Sequence, residues 1–252
     1  MKLVTFNIRC DCRADGANNF EFRKPLIEEK LKQEQPDIVC FQEVMEHVAD
    51  WLKEIMTEYV VEGCGRGANL DDEQMTVAFR KDKYNLMRME TYWMSETPYV
   101  PGSRYPEQSS CPRTCTEVVL RERKSGQVFR VINTHLDHEG VLARCLGLKQ
   151  IMKKLENEQF FPGIPVIVCG DFNAEPDGEE IRYIAEYPGF VDVTKGIGTT
   201  WHDYMRRPDF AQIDYVLVKG IVVCKKAEKW NVEQNGVYLS DHFPVSTILE
   251  FV

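Results

Sequence analysis

The stretch Val166-Ile167-Val168-Cys169-Gly170-Asp171-Phe172-Asn173 decides how this chain is read. Its first four residues are apolar and rich in β-branched side chains, with no polar alternation. That pattern marks a strand buried on both faces. Gly170 then lets a backbone or a ligand approach closely. Side chains alternate faces along a strand, so Asp171 and Asn173 share one side and Phe172 turns into the core. A carboxylate and an amide at the rim of a rigid strand suit a preorganised site. Taken alone, Asp-x-Asn is more often an Asx turn.

Working outward, the same arrangement recurs. Asn7 follows Leu3-Val4-Thr5-Phe6, and Glu43 follows Ile38-Val39-Cys40-Phe41-Gln42. His135 follows Phe129-Arg130-Val131-Ile132-Asn133-Thr134, and Asn133, His135 and Asp137 share a face. Asp214 interrupts Ile213-x-Tyr215-Val216-Leu217, and Asp241-His242 precede Phe243-Pro244-Val245. Each place taken singly is a turn residue or a solvated charge. All of these bland readings would have to hold together, which shifts the balance toward one site.

Strand and helix patterns are interspersed, with no internal repeat and no Gly/Ser linker. Strands are expected at Leu3–Ile8, Asp37–Val44, Val60–Gly63, Thr76–Phe79, Val166–Cys169, Gln212–Val218, Val222–Cys224 and Val245–Phe251. Glu117–Arg123 and Gln127–His135 read as a hairpin turning at Ser125-Gly126. Helices are expected at Phe22–Gln33, Glu46–Met56, Val141–Glu158 and Glu179–Tyr187, the first stopping before Pro36. The result is one α/β (α+β) domain spanning residues 1–252. Tyr92–Pro112, with its prolines and aromatics, reads as a long ordered loop. Trp93, Tyr99 and Tyr105 in it read first as packing residues, with base stacking as the alternative.

The chain has 252 residues, 43% hydrophobic and 28% charged, with a net charge of −9. That composition excludes a disordered or low-complexity chain. No apolar run is long enough to span a membrane. The N-terminus lacks the features of a signal peptide, so a cytoplasmic location is expected. The nine cysteines are odd in number and several lie in apolar runs, which fits free thiols in a reducing compartment. Net acidity disfavours a grip on extended duplex, because that affinity comes from phosphate neutralisation. A small phosphorylated substrate stays open if a metal ion supplies the positive charge. Oxygen ligands select Mg²⁺ or Mn²⁺ over zinc.

The ordered set Thr5-Phe6-Asn7, Phe41-Gln42-Glu43, Asn133-Thr134-His135, Gly170-Asp171-Phe172-Asn173, Ile213-Asp214-Tyr215 and Ser240-Asp241-His242 resembles the endonuclease/exonuclease/phosphatase superfamily. The match runs from Leu3 to Phe251. Trp93-Met94-Ser95-Glu96-Thr97-Pro98 and Asn133–His138 are similar to the deadenylase-like branch and its bacterial relatives. The resemblance implies a four-layer α/β/β/α sandwich, two packed mixed sheets flanked by helices, with the site at one edge of the sheets. It also implies roles. Glu43 is the main metal ligand, Asn7 positions the metal or phosphate, and Asp241 completes the shell. Asp171 orients and deprotonates the attacking water, with Asn173 beside it. His242 contacts the scissile phosphate and is held charged by Asp214. His135 gives a further hydrogen bond to the phosphate or assists the leaving group. Arg113, between the long loop and the next strand, is a candidate phosphate clamp.

The expected function is therefore a divalent-metal-dependent phosphodiesterase or nuclease. Its substrate would be a nucleotide, short single-stranded oligonucleotide or other small phosphorylated compound, cleaved by in-line water attack. A phosphomonoesterase on sugar or inositol phosphates, or a sphingomyelinase-like phospholipid phosphodiesterase, is the alternative. No amphipathic anchor favours the lipid reading. A catalytically silent interaction domain would show a missing Glu, Asp or His, and none is missing.

Overall fold

The computed structural model describes residues 1–208, 210–220 and 222–252. Its first half carries β1 (Lys2–Asn7), α1 (Phe20–Glu34), β2 (Ile38–Val44), α2 (Glu46–Ile55), β3 (Tyr59–Glu62), β4 (Gln74–Arg80), β5 (Tyr84–Trp93) and β6 (Thr114–Glu122). There follow β7 (Val128–His135), α3 (Val141–Glu156), β8 (Val166–Asp171), α4 (Glu179–Glu186), β9 (Phe190–Asp192), β10 (Asp214–Lys219) and β11 (Val222–Lys229). The chain closes with β12 (Glu233–Gln234), β13 (Val237–Tyr238) and β14 (Val245–Phe251).

Two six-stranded mixed sheets form, in the orders β11-β14-β1-β2-β4-β3 and β5-β6-β7-β8-β10-β9. Period-two alternation assigns each strand residue to a layer. Leu3, Ile38, Cys40, Phe129, Val131, Ile167, Cys169, Val216 and Val218 meet between the sheets. Val4, Phe6, Val39 and Phe41 face the opposite way and pack with Leu26, Ile27, Val48 and Leu52 of α1 and α2. Ile132, Val168, Tyr215 and Leu217 pack with Leu148, Ile151 and Ile181 of α3 and α4. This is the four-layer α/β/β/α sandwich. Each fully buried aliphatic or aromatic side chain contributes roughly 1.5–3 kcal/mol to it.

The expected elements all appear, with shifted ends. α1 starts at Phe20, not Phe22, because Asn19 accepts from the Glu21 N–H as an N-cap. It ends in a left-handed Gln35 before Pro36. β6 begins at Thr114 and β11 extends to Lys229. Strand β5 stands where none was expected, so Tyr92 and Trp93 are its last residues and the long loop runs from Met94 to Arg113. β5 forms an edge whose charges are paired: Arg88 donates to Glu117 and to Glu158 at 2.5 Å each, and Arg130 to Glu158 at 2.5 Å. No helix among the described residues is long and apolar enough to cross a membrane.

The layer between the sheets changes character at one end. Continuing its alternation, Leu3–Thr5–Asn7, Phe129–Val131–Asn133–His135, Ile167–Cys169–Asp171 and Val218–Val216–Asp214 each pass from apolar to polar. A buried polar layer separates core from rim. Gln42 Nε2 donates to Asn133 Oδ1 at 2.7 Å and to Thr5 Oγ1 at 3.1 Å, and Asn133 Nδ2 donates to the carbonyls of Phe41 and Thr76. These bonds tie the two sheets together just beneath the rim.

Candidate active site

The rim groups form two facing rows. On the first sheet, Asp241 and His242 precede β14, Asn7 ends β1, Glu43 lies on β2, and Glu73 precedes β4. On the second, Asp214 begins β10, Asp171 ends β8, His135 ends β7, and Arg113 precedes β6. The register pairs Asp214 with Asp171 and Asp171 with His135.

Local backbone features aim these groups. Alternation alone would point Glu43 at the helix layer with Val39 and Phe41. A register shift between Phe41 and Val44 and a left-handed Glu43 (φ 60°) turn it to the rim instead. Gly170 has φ +143°, and a Cβ there would lie 1.8 Å from the Thr134 carbonyl oxygen. Only glycine lets β8 close on β7 at this point, and the close approach is by backbone. Asn173 is left-handed (φ 48°), and its N–H donates to Asp171 Oδ1 at 2.9 Å. The Asx turn is therefore real and serves to orient the carboxylate.

The two rows are stitched by short contacts. His242 Nδ1 pairs with Asp214 Oδ2 at 2.8 Å. Asn7 Nδ2 donates to both Glu43 Oε1 and Asp171 Oδ2 at 3.0 Å. Asp171 Oδ2 lies 3.4 Å from His135 Nε2 and 3.7 Å from His242 Nε2. The Cys10 N–H donates to Glu43 Oε2 at 2.9 Å. Arg9 reaches toward Glu43 at 3.9 Å and Asp241 at 3.8 Å while bonded to Asp15 at 3.1 Å.

Electrostatics differ along the rows. Burial opposes the His242 charge, but Asp214, Asp171 and Asp241 overcome it and raise the imidazole to about 10. Burial and then Arg113 and Arg66 push His135 well below the usual range, so it is neutral. Burial raises Glu43, yet Arg9, the Cys10 N–H and Asn7 outweigh it and hold the carboxyl low. Burial, with Asp214, lifts Asp171 to about 7. Burial, with Glu43, lifts Glu73 to about 7. Asp241 is raised by burial and Glu43. Burial and the mutual repulsion of neighbouring carboxyls act in this direction, and the oxygen-rich set fits a hard divalent ion. Glu43, held low in pKa and only slightly exposed, has Asn7 and Asp241 beside it.

All of these groups except Asn7 and Asp214 line one cavity of about 460 Å³. Asn7 and Asp214 sit directly behind it, each bonded to a lining residue. Arg113 lines the cavity too. Trp93, Tyr99 and Tyr105 do not. Trp93 donates to the Arg66 carbonyl at 2.6 Å, Tyr105 to Gln150 at 2.9 Å and Tyr99 to Glu90 at 2.7 Å. The aromatic in the wall is Trp201, with Ala211 and Ile213. Sequence reasoning missed Trp201, Arg9, Arg66 and Glu73. Arg66 carried one signal: Gly65 and Gly67 flank it, and a Cβ on Gly65 would meet the Leu70 and Asp71 carbonyls at 2.3 Å. The glycines mark a tight turn that seats it.

The sequence profile of the Endonuclease/Exonuclease/phosphatase family matches residues 4–242. Human Nocturnin is 25% identical over 207 residues, covering 73% of this chain and 46% of Nocturnin. Human 2′,5′-phosphodiesterase 12 is 26% identical over 182 residues, covering 65% of this chain and 30% of that protein. The chain thus spans less than half the length of these curated relatives. Among solved structures, an endonuclease/exonuclease/phosphatase from Bacteroides vulgatus superposes with a TM-score of 0.93 at 31% identity, covering 100% of this chain and 98% of that one. The three activities in the family's name all break phosphoric ester bonds. A profile spanning nearly the whole chain places this chain in the Endonuclease/Exonuclease/phosphatase family of phosphoester hydrolases.

Proposed function

We propose that this protein is a divalent-metal-dependent phosphodiesterase acting on a nucleotide, a short oligonucleotide or a similarly small phosphorylated substrate. One observation carries the reading: the carboxyls of Asp171 and Glu43, bridged by Asn7, and the imidazole of His242, backed by Asp214, meet at one cavity. The likeness to 2′,5′-phosphodiesterase 12 supports the diester class. The cavity volume and the net charge of −9 support a compact substrate over extended duplex.

Glu43, with Asn7 and Asp241, would hold Mg²⁺ or Mn²⁺. Held there, such an ion would supply polarisation of the P–O bond and offset charge developing on the phosphate. Asp171, its second oxygen fixed by the Asn173 N–H, takes a proton from the attacking water. The new P–O bond forms on that side as the ester oxygen leaves on the other. Charged His242 donates to a non-bridging oxygen, and Asp214 keeps it charged and oriented. Neutral His135 keeps one N–H for the phosphate. Arg113 binds substrate anion.

The test is a Mg²⁺- and Mn²⁺-dependent hydrolysis screen over dinucleotides, oligonucleotides, sugar phosphates and phospholipid head groups. Glu43→Ala runs beside the wild type. Turnover of diesters that falls at least about 100-fold in the variant is expected. Preference for monoesters would reverse the diester assignment, and comparable turnover by Glu43→Ala would refute the role of Glu43.

A further inference from the structure

The cavity has two unlike ends. At one end stand Glu73 before β4 and Arg113 before β6, with Arg66 on Glu73 at 2.8 Å. At the other stand Asp241 and His242 before β14 and Asp214 on β10. Trp201 belongs to this second end, because backbone bridges join it to His242 and to Ala211. Beside that apolar wall the lining includes one further acid, Glu175. Its backbone is held from both sides. Tyr215, fully buried on β10, sets its hydroxyl 2.8 Å from the Ala174 carbonyl and 3.1 Å from the Gln212 carbonyl. The Gly178 N–H donates to the Glu175 carbonyl at 2.8 Å, and the Phe172 N–H donates to the Ile213 carbonyl at 2.8 Å. Residues 172–175 and 211–213 therefore run side by side, which seats Glu175 against the wall.

Glu175 is exposed and, among the described residues, its carboxylate makes no ion pair. It takes no part in the bonds that fix Asp171, Asn7 or His242. The cations that line this end are spent: His242 is bonded to Asp214 at 2.8 Å, and Arg9 to Asp15 at 3.1 Å. A group entering here meets an apolar surface and an unneutralised negative charge. A cleft concentrates such a field on what it binds. Like charges brought together reject a ligand by repulsion, whereas a carboxylate accepts hydrogen bonds from uncharged hydroxyl or amino groups.

We infer that Glu175 is a specificity residue that sets the charge of the substrate on the Trp201 side: the group esterified there is uncharged, and a second phosphate on that side is rejected. This deepens the phosphodiesterase reading and rests on it for turnover, though not for binding. It narrows the substrate class to diesters whose scissile phosphate has an uncharged neighbour on one side, such as a nucleoside without an end phosphate.

The experiment compares a dinucleoside monophosphate with its 5′-phosphorylated and 3′-phosphorylated forms under Mg²⁺, using wild type and Glu175→Gln, which keeps the shape and removes the charge. In wild type, one phosphorylated form should fall at least about tenfold below the unphosphorylated one in kcat/KM. Glu175→Gln should bring that form to within about threefold of the unphosphorylated one. A wild type that disfavours neither phosphorylated form overturns the inference. So does a penalty that Glu175→Gln leaves intact, including a variant that lowers all three substrates alike. If wild type cleaves none of them, the phosphodiesterase reading fails by itself. Calorimetric titration with thymidine 5′-monophosphate and thymidine 3′,5′-bisphosphate under Mg²⁺ then decides the role of Glu175. The affinity for the bisphosphate relative to the monophosphate should rise at least about tenfold from wild type to Glu175→Lys, and an unchanged ratio overturns the inference.

Discussion

Asp214→Asn keeps the size of the side chain and removes the charge that faces His242. The pair is buried, with side-chain exposures of 5% and 2%, and its Nδ1···Oδ2 distance is 2.8 Å. Raising an imidazole from 6.5 to about 10 favours its charged form by on the order of 5 kcal/mol. Among the groups that raise it, Asp214 comes first, ahead of Asp171 and Asp241. Without that charge, burial wins and His242 is neutral at pH 8. Loss of one oriented, charged donor then lowers kcat/KM by about 100-fold or more. The sign for stability follows. A folded value above the unfolded one makes the His242 contribution complete below pH 6.5 and loses it as pH rises toward about 10. Rate profiles from pH 5.5 to 9.5, with NMR titration of the His242 ring, are the assay. Wild type should hold its basic limb above pH 9, and the variant should lose activity from near neutrality. A wild-type ring titrating near 6.5, or a variant with an unchanged profile, would refute the reasoning.

Three further outcomes are expected. Arg23 is fully buried and donates to the carbonyls of Ile8, Arg9, Asn18 and Leu239, so Arg23→Met strands four acceptors. Urea denaturation should show a loss of at least about 4 kcal/mol; a loss under 1 kcal/mol would contradict it. Gly170→Ala forces a Cβ against the Thr134 carbonyl at positive φ and should cost about 3 kcal/mol or more in the same assay, with a wild-type midpoint speaking against the clash. Chelation with EDTA should abolish hydrolysis, and excess Mg²⁺ or Mn²⁺ should restore it; activity that survives chelation counts against the metal.

Much of this architecture was legible because apolar strands end in polar residues of the right parity. Leu3–Asn7 and Ile167–Asp171 follow simple alternation, and it alone places Asn7 and Asp171 on the inner face. Glu43 does not follow it. Its orientation comes from a bulge that no period reveals, so motif resemblance found it where geometry would have failed. β5 was hidden because Arg88 and Glu90 look solvated, whereas Arg88 is neutralised by Glu117 and Glu158 and Glu90 by Lys154. Glu73, Arg66 and Trp201 were illegible for another reason. Each sits on a loop, where the chain's path and not its period decides what faces the cavity.

The central claim is that Glu43 anchors a divalent cation at the junction of the two rows. Titration of wild type and Glu43→Ala with Mn²⁺, followed by EPR, reads it directly. Saturable binding in wild type, displaced by Mg²⁺ and weakened at least tenfold in Glu43→Ala, is the predicted result. Mn²⁺ binding of equal strength in both proteins, or none in either, would contradict it.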